Sequence, residues 1–213
     1  MARRILDLAE EAVDAARGAE KGLGQTLRLG MTQIAAVQVV VPLLEAFRRE
    51  HPYARIRLTE GTSAELEAEV EQNLIDAAFL HPPVHQPSLS EQHLATQRLA
   101  KYDARPRPGK VPPVIRYARP EAPVLMAEID RKDPDRGPFN STVEVDTALG
   151  ALVLSEAGYG PCIVPERFPN PFEKTNAEVA DEPIDIELGT SLVWRRLDRR
   201  PTVMTLVAIA RRS

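Results

Sequence analysis

Two short polar turns hold the residues of this chain best suited to chemistry. In one, Gly30 leads to Thr32 and Gln33 and then to an apolar, helix-like run; in the other, Gly61 leads to Thr62 and Ser63 and a second such run. Hydroxyl and amide side chains at a helix start sit beside backbone N–H groups with no intrahelical acceptor and beside the positive end of the helix dipole. Together these hold a carboxylate or similar anion without a formal positive charge. Thr62-Ser63-Ala64-Glu65 also has the form of a capping box, a purely local duty that the same residues would have in any fold.

Other clusters lack the spacing their chemistry needs. His81, His85 and His93 are interrupted by prolines, which deny them the helix on which imidazoles four apart converge on a metal. Asp130, Asp133 and Asp135 do not follow the spacing of a calcium loop and read as a solvated turn. Cys162, the one cysteine, lies in an apolar run without a histidine near it in sequence, and no nucleophile elbow, P-loop or glycine-rich dinucleotide turn occurs. A single cysteine excludes an internal disulfide and points to a reducing compartment. These residues describe a binding protein rather than an enzyme, with no cofactor and no metal.

The elements that must position the two turns alternate between strand and helix. Leu27 and Leu29 alternate with polar neighbours and predict a strand over 26–30; Ile34, Val37, Val41, Leu44 and Phe47 predict one helix face, with Pro42 kinking the helix or starting its second part. His51-Pro52 ends it, with His51 facing the helix terminus. Ile56 and Leu58 predict a second strand, Leu66, Val70 and Leu74 a second helix face, and Leu74–Leu80 a strand buried on both sides. This βαβα order predicts an open parallel sheet with ligands at the carboxyl ends of its strands.

Beyond Leu80 the patterns are shorter. Strands are expected around 93–102, 114–117, 124–129 and 142–145, then a helix from Asp146 to Gly158 capped by Asp146 or Thr147, with Ala148, Leu149, Leu152 and Val153 along it. Cys162 to Pro165 reads as a short buried strand, 184–195 as strand material, and Pro201 starts a last helix with Val203, Leu206, Val207 and Ala210 on one face. Ahead of all this, residues 3–21 form an alanine-rich helical stripe too weak to stand alone, so it needs a docking surface or a second chain.

With 213 residues, 43% hydrophobic and 27% charged, the chain fits one large or two small soluble domains. Its net charge of -4 weighs against wrapping nucleic acid by itself, and the arginines at 195–200 and 211–212 read as local solvated faces. No run is apolar enough for a signal peptide or a membrane span, so a cytoplasmic protein is expected.

Six segments, TLRLGMT at 26–32, VPLLEAFRREHP at 41–52, IRLTEGTSAEL at 56–66, LIDAAF at 74–79, AGYGPCIVPE at 157–166 and LVWR at 192–195, stand in an order and separation that resembles the effector-binding half of LysR-type transcriptional regulators. The resemblance implies an α/β fold like the type 2 periplasmic binding proteins, with two α/β subdomains joined by two crossing strands and a ligand cleft between them. It implies a linker and dimerisation helix at 1–22, subdomain I at 23–98 plus 188–213, and subdomain II at 99–187, with the crossings near Leu99 and Leu188. The winged helix-turn-helix that such regulators carry ahead of the linker helix is not among these residues. Two departures from the pattern are the short, proline-rich stretch at 101–113 and Pro161 in the Gly-x-Gly turn.

The resemblance also implies the ligand contacts: Thr32, Gln33, Thr62, Ser63, Phe79 and His81 from subdomain I, with Phe79 and His81 on the cleft floor or hinge side, and Thr147 and Gly160 from subdomain II. Glu144 and Asp146 would repel an anion unless they turn away or pair with Arg116 or Arg119. The function so implied is to sense a small, anionic metabolite and, as a homodimer or higher oligomer, to modulate DNA binding by a domain absent from this chain. No membrane partner is implied. A solute-binding protein or a stand-alone small-molecule-binding protein of the same fold is the alternative.

Overall fold

The computed structural model describes residues 26–104, 114–118, 123–132, 143–172 and 182–212. Two compact units share the chain, the first running to Ala95 and resuming at Thr190, the second spanning Thr96–Gly189. The expected linker helix at 3–21 and most of the proline-rich stretch at 101–113 lie outside the described residues.

The first unit opens with β1 (Thr26–Met31), α1 (Gln33–Ala35), a π-helical turn (Ala36–Val40), α2 (Val41–Glu50), β2 (Arg55–Glu60), α3 (Ser63–Glu71) and β3 (Ala77–Leu80). Strands β2, β1 and β3 are parallel neighbours in that order, with Leu29 opposite Leu58 on one side and Ala77 on the other. Two 14-residue strands, β4 (Leu89–Tyr102) and β8 (Glu182–Arg195), run through both units. The last part of β8 lies antiparallel to β3, Leu80 opposite Ser191 and Ala77 opposite Trp194.

Alternation along these strands sorts the core into two layers. Leu27, Leu29, Ala77, Phe79 and Leu192 face Leu43 and Phe47 of α2 and Val203, Leu206 and Val207 of the last helix. Ala78, Leu80 and Val193 face Leu66 and Val70 of α3. Each fully buried Leu or Phe contributes about 1.5–3 kcal/mol by leaving water. Gly30 in β1 is the place where α3 comes closest, since a Cβ there would stand 2.5 Å from Leu66 Cδ2 and 2.7 Å from Ile75 Cδ1.

Several elements depart from the sequence pattern, each for a local reason. The π turn adds a residue to the helical repeat, so the buried face runs through Ala35, Val39, Val40, Leu43 and Phe47, while Val37 and Val41 are 36% and 58% exposed. Pro42 sits in the first turn of α2, where its missing N–H leaves no bond unmade. His51 caps that helix and its ring stacks on Phe47 at 4.9 Å, with Nε2 3.0 Å from Thr205 Oγ1. The expected strand over Leu74–Leu80 begins only at Ala77, because Asn73 takes φ 61° and turns the chain. Strand β2 is an edge strand, which leaves Ile56 and Leu58 half exposed.

Asp76, just ahead of β3, is 1% exposed and collects three guanidinium groups. Its carboxylate accepts from Arg28 N–H at 2.7 Å and Arg28 Nη2 at 2.8 Å, pairs with Arg200 Nη1 at 2.9 Å, and lies 3.8 Å from Arg195 Nη2. Asp198 joins the same group through Arg195 at 2.8 Å and through Arg200. Arg195 also donates to the carbonyls of Val70 and Ile75, both at 2.8 Å. Arg195 and Arg200 are therefore not the solvated face expected from their clustering; they close the amino end of the sheet. A buried carboxylate has to be paired, and this one is.

In the second unit, α4 spans Pro123–Lys132, where the sequence reading expected a strand over 124–129. Leu125, Met126 and Ile129 are its buried residues, a helical spacing that the β-branched residues of the run disguised. Strands β5 (Arg116–Tyr117) and β6 (Glu144–Val145) pair in parallel, with Arg116 opposite Glu144. Helix α5 (Ala148–Glu156) is capped by Thr147, not Asp146, and buries Ala148, Ala151, Leu152 and Ser155 while Leu149 and Val153 stay exposed. Strand β7 (Cys162–Pro165) pairs antiparallel with β4, Leu99 opposite Pro165. Helix α6 (Pro201–Ala210) follows β8 within the first unit.

Candidate functional site

At the carboxyl end of β1, Thr32 is the N-cap of α1. Its N–H donates to Phe79 C=O at 3.0 Å, tying the end of β1 to β3, and its Oγ1 accepts from Ala35 N–H at 3.2 Å. At the carboxyl end of β2, Gly61 N–H donates to Met31 C=O at 3.2 Å, which brings the α3 turn alongside. Ser63, the first residue of α3, accepts at Oγ from His81 N–H at 3.1 Å. His81 follows β3 directly, and its Nε2 lies 3.0 Å from Thr32 Oγ1. Thr32 and Ser63, two of the expected contacts, thus both bond a third, His81, Thr32 at the ring and Ser63 at the backbone.

A fourth hydroxyl joins them from a part of the chain that sequence reasoning passed over. Thr190 on β8 places Oγ1 3.5 Å from His81 Nδ1, because the antiparallel register sets this end of β8 beside Leu80. Next to it, Ser191 donates to Glu91 at 2.7 Å. Thr190 is separated from His81 by 109 residues and carries no local motif. Only the crossing-strand register could have pointed to it.

The remaining expected contacts divide by their duties. Thr62 forms the full capping box: its N–H and Oγ–H both donate to Glu65 Oε2 at 3.0 Å, and its Oγ1 accepts from Glu65 N–H at 3.2 Å. These bonds hold the Glu65 carboxyl below the usual glutamate range. Thr62's hydroxyl is committed to the helix. Gln33 is half-buried at the start of α1. Phe79 corrects the expectation of a cleft-floor side chain: its ring is fully buried in the core, and it contributes only its carbonyl to this end of the sheet.

Thr147 and Gly160 belong to the second unit. Thr147 Oγ1 accepts from Gly150 N–H at 3.1 Å, and Gly160 is buried with φ 147°, in the turn between α5 and β7. Cys162, next in that turn, is fully buried, and burial pushes its thiol up to about 12. A thiol so held stays protonated and is neither a nucleophile nor a ready redox group. Tyr117, buried beside it, donates to Ile163 C=O at 2.9 Å.

The carboxyl-end cluster contains hydroxyls, an imidazole and two helix starts, but no arginine or lysine among the contacts described above. Such a site stabilises one anionic group of modest size and leaves selectivity to shape. A different hollow of about 510 Å³ opens at the amino end of the same unit, over Leu89, Trp194, Arg196 and Arg211. Its cations Arg196 and Arg211 lie exposed, and Glu91 shares the lining. The carboxyl end is the better-built site. Among the described residues, no helix is long and apolar enough to cross a membrane.

Residues 20–104 match the family model described as the LysR substrate binding domain. No curated protein sequence matches the chain. Among solved structures it is similar to full-length CbnR bound to its target DNA, at 23% identity and a TM-score of 0.76 over 99% of this chain and 77% of that one. It is also similar to the BenM effector binding domain with its effector benzoate, at 19% identity and a TM-score of 0.69 over 89% and 92%. A third similar structure is the Corynebacterium glutamicum OxyR C206 mutant, at 21% identity and a TM-score of 0.66 over 99% and 75%. At such identities the structures speak for the fold, and the family match covers less than half of the chain. The chain therefore adopts an α/β fold like the type 2 periplasmic binding proteins, and its residues 20–104 are similar to the LysR substrate binding domain.

Proposed function

We propose that this chain is the effector-sensing and oligomerising portion of a LysR-type transcriptional regulator, and that it holds a small carboxylate-bearing metabolite at the carboxyl end of β1 and β3. The observation that carries this reading is that Thr32 and Ser63, each at a helix start, both hydrogen-bond His81, the first at its ring and the second at its backbone N–H. Thr32, Gln33, Ser63 and His81 contact the ligand, and Thr62 fixes the turn on which Ser63 stands. In the second unit the same reading assigns Thr147 and Gly160. BenM, which shares the fold, takes benzoate as its effector, and CbnR, which shares it too, binds target DNA in its full-length form. Both support a regulator's division of labour here, with DNA reached through another domain and the active species a homodimer or higher oligomer.

On this reading the ligand acts by stabilising one arrangement of the protein over another, and its effect is bounded by its differential affinity for the two. No covalent chemistry is needed. The test is a thermal-shift screen of the 213-residue chain against benzoate, other small carboxylates and sulfate. A ligand at ~100 times its Kd adds about 2.7 kcal/mol, a shift of roughly 5–10 °C for a chain of this size. Thr32→Val should abolish most of that shift. An equal shift in wild type and variant would remove Thr32 from the site, and no shift with any anion would overturn the reading. Sedimentation should show a dimer at tens of micromolar, and a monomer there would remove the oligomerising role.

A further inference from the structure

The hollow at the amino end of the first unit carries charges of both signs on one lining, Arg196 and Arg211 with Glu91, beside the buried side chains of Leu89 and Trp194. All of these residues belong to the first unit. The lining stands on fixed backbone. His85 and Gln86 N–H both donate to the buried Glu67 carboxylate at 2.6 Å, Leu89 N–H donates to Gln86 C=O at 3.1 Å, and Arg196 N–H donates to Ser88 C=O at 2.9 Å. Arg196 Nη2 in turn donates to Leu89 C=O at 3.2 Å, which holds this guanidinium against the hollow, and Arg211 is the C-cap of α6.

These charges are not spent on one another. Glu91 Oε1 accepts from Ser191 Oγ–H at 2.7 Å, and among the described residues no cation pairs with the Glu91 carboxylate. Among the same residues neither Arg196 nor Arg211 pairs with a carboxylate. The neighbouring acids serve other groups: Glu67 Oε2 lies 3.3 Å from His85 Nδ1, and Glu71 accepts from Ser88 at 3.4 Å. A carboxylate offers about four lone-pair sites, so Glu91 can still accept from a ligand, and both guanidinium groups can still donate to one.

We propose that this hollow is a second ligand site, independent of the carboxyl-end cluster, and that it takes a small zwitterion: an acid group on Arg196 and Arg211, a protonated amine on Glu91, and an apolar body over Leu89 and Trp194. An anion alone would meet the Glu91 carboxylate, and a cation alone would meet two guanidinium groups. The molecule that satisfies both signs at once carries both, as an α-amino acid does. Guanidinium groups take a carboxylate through paired N–H donors, and these charge-assisted bonds strengthen as the ligand displaces water from an apolar surface. The hollow's volume of about 510 Å³ lies within the range of small-molecule pockets and leaves room for an amino acid of any side chain.

The experiment is an NMR titration of the 213-residue chain at pH 7 with the protein amino acids and, for each that binds, with its N-acetyl and carboxamide derivatives, which delete the positive and the negative charge in turn. The expected result is that at least one amino acid with an apolar side chain binds and that each of its derivatives binds about five- to tenfold more weakly. Arg211→Gln should weaken the amino acid by a similar factor and leave its carboxamide unchanged. Glu91→Gln, whose amide oxygen keeps the Ser191 bond, should weaken the amino acid and leave its N-acetyl derivative unchanged. Both positions are exposed, so an unchanged Tm accompanies these losses. Derivatives that bind as well as the parent overturn the proposal, and so does binding that either substitution leaves intact. Binding lost in Thr32→Val but kept in Arg211→Gln would place the amino acid at the carboxyl end and overturn it too. No binding by any amino acid overturns the second site and leaves the carboxyl-end reading standing.

Discussion

The two ends of the first unit's sheet solve opposite problems with opposite chemistry. At the amino end, two buried carboxylates are each paired with guanidinium groups, Asp76 and Asp198 with Arg28, Arg195 and Arg200. At the carboxyl end, the same strands finish in hydroxyls, a histidine and helix starts with no full charge fixed among them. Both buried carboxylates at the amino end have guanidinium partners, so that network holds structure. The carboxyl end presents hydroxyls and an imidazole, groups that hydrogen-bond to one another rather than form a carboxylate–guanidinium network. Charge used for stability and charge reserved for recognition are separated by the length of four-residue β3.

The largest test of that contrast is Asp76→Asn. Removing one member of a buried ion network leaves the others without compensation, at a cost of about 3–5 kcal/mol, or on the order of 10 °C in Tm for a chain of this size. Thermal unfolding should show this loss, while the response of the surviving folded protein to an anion that shifts the wild type stays the same. A lost anion response at temperatures where the variant is folded would mean that the two ends are not independent. The same network predicts acid sensitivity. Burial opposes the Asp198 carboxylate, but the hydrogen bonds and charge of Arg200, with Arg195 behind it, outweigh that and keep its pKa below the usual aspartate range. Its stabilising contribution is present above about pH 4 and is lost as pH falls through that depressed value.

Gly30→Ala acts between the two ends. The added methyl meets Leu66 Cδ2 at 2.5 Å and Ile75 Cδ1 at 2.7 Å, so the tips of both side chains must give way and α3 is pushed off β1. Overpacking of this kind costs about 1–3 kcal/mol. Because α3 carries Ser63, which holds the His81 backbone, the displacement should also weaken anion binding severalfold, a loss that Asp76→Asn does not produce. Equal anion responses in wild type and Gly30→Ala would show that α3 does not set the site.

What the sequence disclosed follows the same division. The carboxyl-end turns were legible because glycine, a capping hydroxyl and a following glutamate are local signals, and Thr32, Thr62 and Ser63 all stand where those signals put them. The amino-end network was not, since Arg28, Asp76 and Arg200 are scattered along the chain and a run of arginines looks the same whether it is solvated or buried. The lone acid in Leu74–Leu80 was the available clue, because a carboxylate in an apolar run demands partners. Thr190 was illegible for the same reason of distance. The helical face of Val37 and Val41 failed differently: a π turn changes the repeat without any residue type that announces it.

The smallest effect belongs to the cap itself. Thr62→Ala removes the Oγ1 that accepts from Glu65 N–H and the O–H that donates to Glu65 Oε2, so it should cost about 1 kcal/mol, the usual worth of an N-cap. The pair is exposed, and its carboxyl is held below the ordinary glutamate value by the two Thr62 bonds, backbone first and side chain second. The contribution of a carboxyl lowered in this way is present above about pH 4.3 and is lost as pH falls through its folded value. The stability difference between wild type and Thr62→Ala should therefore narrow in acid, measured by urea unfolding at pH 7 and pH 3. A difference that stays constant between those pH values would mean that Glu65 has no share in the cap. Anion binding should survive the change, because Thr62 spends its hydroxyl on the helix and Ser63 keeps its bond to His81. Binding lost along with the cap would place Thr62 on the ligand and redraw the site around the capping residue rather than the histidine.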